Sequence, residues 1–301
     1  MKNDDKDIVE DDKDVFPQAS LFIADVLTWN PKGERHSMEH PFFSLSKNKD
    51  TKDRRYETAD GKVILEIMPT SKGIPTIWDK DLLIYVCTLV REGMNRGTIG
   101  DVNVPIRIDA YNYFSATGKG KGSQQYKGMM DTLDRLRGTA IKTTIQSGGM
   151  TYTEGFSLID KYRVSARTDA GKIRSVDIKL CDWLWGAIKN AAMEMLTINQ
   201  EYFALSSGID RRLYELARKH CGNQPQWKVK VETLWKKSGS MSSLREFRRI
   251  LFERQADLGN LPDYRIQINE KDDSLTFFSR TGARIVEMVK DVKESMQSKK
   301  N

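Results

Sequence analysis

Apolar and polar positions recur along this chain at two periods, and the change from one to the other marks its elements. Over residues 209–218, Ile209, Leu213, Leu216 and Ala217 keep helical spacing. Cys221-Gly222-Asn223 then supplies helix-stop residues. Residues 231–237 predict a second helix with Leu234 and Trp235 inward, stopped by Ser238-Gly239-Ser240. A third starts near Ser242 and Ser243 and runs to Arg254. On a wheel of about 100° per residue, Leu244, Phe247, Ile250 and Leu251 share one arc, and Arg245, Arg248 and Arg249 share the next. Residues 264–268 and 275–278 alternate with period two around a polar turn at 270–273, which is a hairpin signal. Three helices and a hairpin, the third helix basic, predict a winged helix. Such a helix fits the major groove of duplex DNA, where arginine reads guanine bidentately.

A similar order occurs earlier in the chain. Residues 38–47 read as a short strand start, and residues 63–68 as a stronger strand. Thr76 and Asp79 have capping-box spacing before a helix carrying Leu82, Leu83, Val86, Leu89 and Val90. Residues 104–108 predict a strand, with Asp109 capping a helix through Phe114. A helix over 123–137 buries Tyr126, Met129, Met130, Leu133 and Leu136. Strands at 140–145 and 151–159 flank the Gly148-Gly149 turn signal, and 176–180 adds another. The expected fold is therefore α+β with tandem winged-helix domains. The expected divisions are 1–37 (an acidic tail and docking segment that includes apolar residues 16–29), 38–195, 196–282, and 283–301 (a helix and basic tail).

Charge sharpens the picture. The chain has 301 residues and a net charge of +7. Residues 206–255 hold twelve Lys/Arg against five Asp/Glu, so about a sixth of the chain carries an excess equal to the total. That favours an anionic partner, of which nucleic acid is the commonest. The helix from Ser243 has four arginines against two acids, whereas that from Ser123 has Lys127, Arg135 and Arg137 against Asp131 and Asp134. The second unit is therefore expected to read the groove and the first to touch backbone or form a dimer surface. Expected DNA contacts are Arg245, Arg248, Arg249, Ser242, Ser243, Lys236 and Lys237, with Lys119, Lys121, Gln124 and Lys127 in the first unit. Some of the apolar excess at Trp183, Leu184, Trp185 and Ile188 is expected at a dimer contact, and most of it in the core.

Several chemistries lack their residues. No apolar run approaches the ~20 residues of a membrane span, and the acidic first fourteen residues form no signal peptide, so a cytoplasmic location is expected. Cys87, Cys181 and Cys221 are far apart and read as reduced thiols, not a disulfide or zinc set. A nicking enzyme of the rolling-circle kind needs two histidines flanking one residue, and His36, His40 and His220 do not make that pattern. Gly118-Lys119-Gly120-Lys121-Gly122-Ser123 lacks the Gly-Lys-Ser/Thr of a phosphate loop and reads either as a flexible basic loop near DNA backbone or as a plain solvated loop. No enzyme activity, metal or cofactor is expected.

Four stretches carry a resemblance. Residues 38–47 (MEHPFFSLSK), 76–81 (TIWDKD), 211–220 (RRLYELARKH) and 244–248 (LREFR) resemble the replication initiator protein A family of bacterial plasmids, over roughly 38–280. The resemblance implies a two-winged-helix initiator that binds repeated sites, or iterons, at a plasmid origin in duplex DNA. It implies recruitment of host replication proteins without catalysis by the initiator itself. Related initiators bind repeats as monomers and repress their own promoters as dimers, which sets copy number. The alternatives are a winged-helix repressor without origin function and a DNA-nicking initiator.

Overall fold

In the computed structural model the chain is described over residues 30–58, 61–147, 150–166, 173–222, 224–254 and 261–280. The acidic tail, the segment 16–29, the Gly148-Gly149 turn and the helix expected from 283 lie outside these residues.

Two successive halves share one order of elements. In the first, α2 (Lys80–Asn95), β4 (Ile106–Asp109), α3 (Ala110–Ala116) and α4 (Ser123–Gly138) precede β7 (Ile159–Ala166) and β8 (Ile173–Leu180). These strands form an antiparallel sheet of order β4-β8-β7. In the second, α7 (Gly208–His220), β10 (Gln226–Lys230), α8 (Val231–Ser238) and α9 (Leu244–Glu253) precede β11 (Tyr264–Asn269) and β12 (Ser274–Ser279). The sheet order there is β10-β12-β11, the same arrangement.

Local chemistry accounts for most boundaries. Asp109 caps α3 by accepting from the Asn112 backbone N–H at 2.9 Å. Thr76 and Asp79 bond reciprocally ahead of α2: the Thr76 N–H donates to the Asp79 carboxylate at 2.6 Å, and the Asp79 N–H donates to the Thr76 hydroxyl at 3.3 Å. Ser207 caps α7, and Gly239, at φ 71°, terminates α8 in the left-handed conformation that glycine tolerates. Gly208 admits a close approach, since a Cβ there would lie 2.1 Å from the Leu45 carbonyl oxygen.

Three expectations are corrected. Residues 38–47 contain no strand: Met38 and Glu39 end α1 (Arg35–Glu39), whose first N–H groups are capped by the buried Glu34 carboxylate, and only a single bridge joins Ser44 to Thr76. The 140–159 hairpin is not the hairpin of the first half. Its strands β5 (Ala140–Ser147) and β6 (Met150–Phe156) join β2 (Arg54–Glu57) and β3 (Val63–Met68) in a separate sheet, β2-β3-β5-β6. The hairpin equivalent to β11–β12 is β7–β8. A register shift between Ile159 and Lys161 breaks its period-two pattern, which hides β7 in the sequence. Third, the Trp183–Ile188 cluster does not supply an open surface. Leu184, Trp185 and Ile188 are buried, and Trp183 stacks on Phe156 and meets Phe42 in a T-shaped contact.

Two apolar clusters result. One gathers side chains from Phe42 to Met195; the other joins Met38 and Ile84 to side chains from Ile198 to Phe277. Cys87, Cys181 and Cys221 are buried and unpaired within them. Burial pushes the Cys181 thiol up to about 11.

Candidate nucleic-acid interface

Helix α9 is fixed by its apolar face. Ser243 caps it, accepting from the Glu246 N–H at 3.2 Å, and Phe247 and Leu251 are 0% and 1% exposed. Burying side chains of this size stabilises by about 1.5–3 kcal/mol each, which sets the rotation of the helix. The three arginines consequently lie on its outer side, in three different states. Arg245 is exposed and has no carboxylate partner among the described residues. Arg249 is held between Glu246 at 2.6 Å and Glu253 at 2.5 Å. Arg248 makes a bidentate pair with Asp273, both bonds 2.7 Å, so it links α9 to the β11–β12 turn. The Arg248 hydrogen bonds hold the Asp273 carboxyl below its ordinary range.

The remaining expected contacts divide similarly. Lys236 is exposed and pairs with Glu232 one turn away at 2.7 Å. Lys237 does not face outward: its ammonium pairs with Glu39, and its carbonyl accepts from Arg212 at 2.7 Å. Ser242 is half-buried, its carbonyl accepting from the Trp235 indole N–H at 2.9 Å, so it serves the turn before α9. In the first half Lys119 turns inward to Asp81 at 2.8 Å and Trp78 O at 3.4 Å. Lys121 is exposed with its ammonium 3.7 Å from the Tyr111 ring centroid, and Gln124 and Lys127 are exposed on the first turns of α4. The outward set is therefore the basic Arg245, Arg248, Arg249 and Lys236 in one half, with the basic Lys121 and Lys127 and the neutral Gln124 in the other.

Sequence reasoning missed the joint between the halves. Lys80 and Glu215 pair at 2.8 Å and Asp81 and Arg211 at 2.6 Å, every one of these side chains at most 3% exposed. Glu215 also accepts from the Tyr202 hydroxyl at 2.8 Å and from Arg212 at 3.1 Å. Arg212 also donates to the Ser37, Met38 and Glu39 carbonyls at 3.1–3.2 Å, besides the Lys237 carbonyl. Asp79 accepts a bidentate pair from Arg135 at 2.7 and 2.8 Å. Burial presses Lys80 below the usual lysine range while Glu215 opposes it. Residues 76–81 and 211–220, two of the most recognisable stretches of the sequence, meet here inside the protein rather than on its surface.

One further group is drawn together: Glu34, His36 and Glu194 place potential ligand atoms within 4.8 Å of one another. Both Glu34 oxygens already accept the His36 and Ser37 N–H groups, so its role in the fold is helix capping.

Two consecutive α/β units of one strand order, the second with a basic helix beside its hairpin, define a class of fold that solved proteins share. Domains 2 and 3 of RctB match with a TM-score of 0.59 and 15% identity, covering 79% of this chain and 94% of that one. A second structure of these domains, over the same shares, gives 0.54 and 14%. At such identities the likeness is one of fold. The profile of the replication initiator protein A family matches residues 32–266. A protein of Wigglesworthia glossinidia brevipalpis whose name assigns it to replication is 39% identical over 264 residues, 86% of this chain and 93% of that protein. The chain belongs to the replication initiator protein A family, and its role is in the initiation of replication. No helix among the described residues is long and apolar enough to cross a membrane.

Proposed function

We propose that the protein is a sequence-specific, duplex-DNA-binding plasmid initiator built from two winged-helix units, with α9 as the principal reader. The observation that carries this is α9 itself. Phe247 and Leu251 lock its rotation, Arg245 projects into solvent, and Arg248 reaches the adjoining hairpin. A helix beside a hairpin gives one element for base edges and one for the neighbouring backbone. Lys121, Gln124 and Lys127 of α4 supply backbone contacts in the first unit. The protein binds repeated origin sites, recruits host replication proteins and performs no strand chemistry. Its dimer forms through the exposed face of the β5–β6 hairpin in the first half, where Ile145, Tyr152 and Met150 are 40%, 56% and 60% exposed and Ile145 pairs with Tyr152 across the strands.

The test uses a duplex selected from a random pool and a scrambled control. Arg245→Ala is expected to lower the ratio of specific to scrambled affinity about ten- to a hundredfold, as for loss of a bidentate base contact. Lys127→Ala should weaken both duplexes alike. An unchanged ratio for Arg245→Ala with normal circular dichroism removes α9 as the reader. Supercoiled DNA should stay intact with magnesium or manganese; a protein-linked nick would instead support a nicking initiator.

A further inference from the structure

A cavity of about 320 Å³ lies in the first half, away from α9. Its floor is apolar, formed by the buried Ile74, Tyr113, Phe114 and Met129. Trp78 is a half-buried wall, and Lys47, Lys49, Lys72 and Lys119 surround the mouth. The glycine-lysine loop contributes directly: Lys119 lines the cavity, and Gln125 beside it packs so closely on Gly120 that a Cβ there would lie 3.2 Å from the Gln125 amide nitrogen.

The charges are unequally used. Lys72 pairs with Asp131 at 2.7 Å, Lys119 with Asp81 at 2.8 Å, and Arg135, also on the lining, with Asp79 at 2.7 Å. Lys47 and Lys49 have no carboxylate partner among the described residues. The Lys47 ammonium lies 4.7 Å from the Trp78 ring centroid. Solvated lysines on a plain surface lack an aromatic wall and an apolar floor beneath them; here a base that stacks on Trp78 takes the place of the Lys47 ammonium, which is then released to the phosphate. Here the two lysines without a carboxylate stand beside a recess that accepts a flat apolar body, so the ligand that fits is planar at one end and anionic at the other. Its volume is at the lower end of the range for small-molecule sites, about 300–1,000 Å³, which suits one nucleotide rather than two. Asn48 and Gln125, each both donor and acceptor, flank the space a base would fill.

We propose that this cavity binds a single nucleotide, its base against Trp78 and its phosphate on Lys47 and Lys49. The nucleotide arrives either as a free nucleoside triphosphate or as one displaced residue of a DNA single strand. The assignment goes beyond the duplex reading of α9 and does not rest on it.

The experiment titrates the full chain with ATP by calorimetry and with a fluorescein-labelled twelve-residue oligo-dT by anisotropy. Wild type is compared with the Lys47→Ala/Lys49→Ala double variant, and the selected duplex is measured in parallel. At least one probe should saturate below ~1 mM. The double variant should weaken that probe about tenfold or more and leave the duplex unchanged. Saturation by ATP identifies the free nucleotide as the source; saturation by oligo-dT alone identifies the displaced strand. The proposal is overturned by no saturation with either probe, or by unchanged affinity in the double variant. It is equally overturned by inorganic triphosphate competing as well as ATP, or by equal weakening of duplex and probe. Failure of duplex binding alone bears on α9 and leaves the cavity assignment standing.

Discussion

Asp273→Asn separates the two tasks open to Arg248. In the free protein Arg248 is clamped to the β11–β12 turn by two 2.7 Å bonds, and to read a base it must leave that partner. Asp273 has φ 48°, a left-handed conformation that asparagine also tolerates, so the substitution removes charge without straining the turn. The pair is open to water, with side-chain exposures of 35% and 38%. Screening at that exposure limits its contribution to about 0.5–1 kcal/mol. Asp273→Asn should therefore cost no more than about 1 kcal/mol in urea unfolding. Freeing Arg248 returns the same energy to binding and should tighten the selected duplex about two- to fivefold. Arg248→Ala should cost similarly little stability yet weaken the selected duplex about ten- to a hundredfold. Anisotropy titrations at one fixed salt concentration measure both, since phosphate contacts make every affinity salt-dependent. If Asp273→Asn and Arg248→Ala weaken binding equally, the pair is a strut holding the hairpin on α9, and Arg248 reads nothing.

Two further outcomes concern stability. Glu215→Ala leaves Lys80 and Arg212 as buried cations without their shared carboxylate and should cost about 3–5 kcal/mol in urea unfolding; a loss below about 1 kcal/mol would mean the joint is not structural. Burial lowers His40 to about 4 against Glu39, which raises it. The folded value lies below the unfolded value of about 6.5, so this group's stabilisation is complete above pH 6.5 and is lost as pH falls towards 4. At pH 5 the loss is about 2 kcal/mol, and His40→Asn should flatten the stability profile between pH 7 and 5; an unaltered profile would contradict the assignment.

Much of the second half could be read from its residues because its signals are local. Phe247 and Leu251 recur at helical spacing behind a serine cap, and β11 and β12 alternate cleanly around a turn of acids. The elements missed lack such signals. β7 carries a register shift, β10 is five residues lying between helices, and α1 is capped by a glutamate whose burial only the tertiary fold provides. The site was less legible than the fold, because periodicity gives the face of a charged residue and not its partner. Lys237 finds Glu39 198 residues away, and Arg211 finds Asp81 130 residues away. A wheel placed Arg245, Arg248 and Arg249 together correctly but could not show that only Arg245 lacks a carboxylate partner among the described residues. Residues 76–81 and 211–220 announced the family while hiding their use, since charged motifs are ordinarily read as surface.

The central claim, that α9 directs the protein to repeated sites in duplex DNA, is tested most directly by nuclease footprinting across the DNA flanking its own gene, with wild-type protein and Arg245→Ala side by side. The wild type should protect several evenly spaced direct repeats, and the variant should lose that pattern at concentrations where its fold and non-specific binding persist. Absence of any protected repeat, or the same footprint from both proteins, would contradict it.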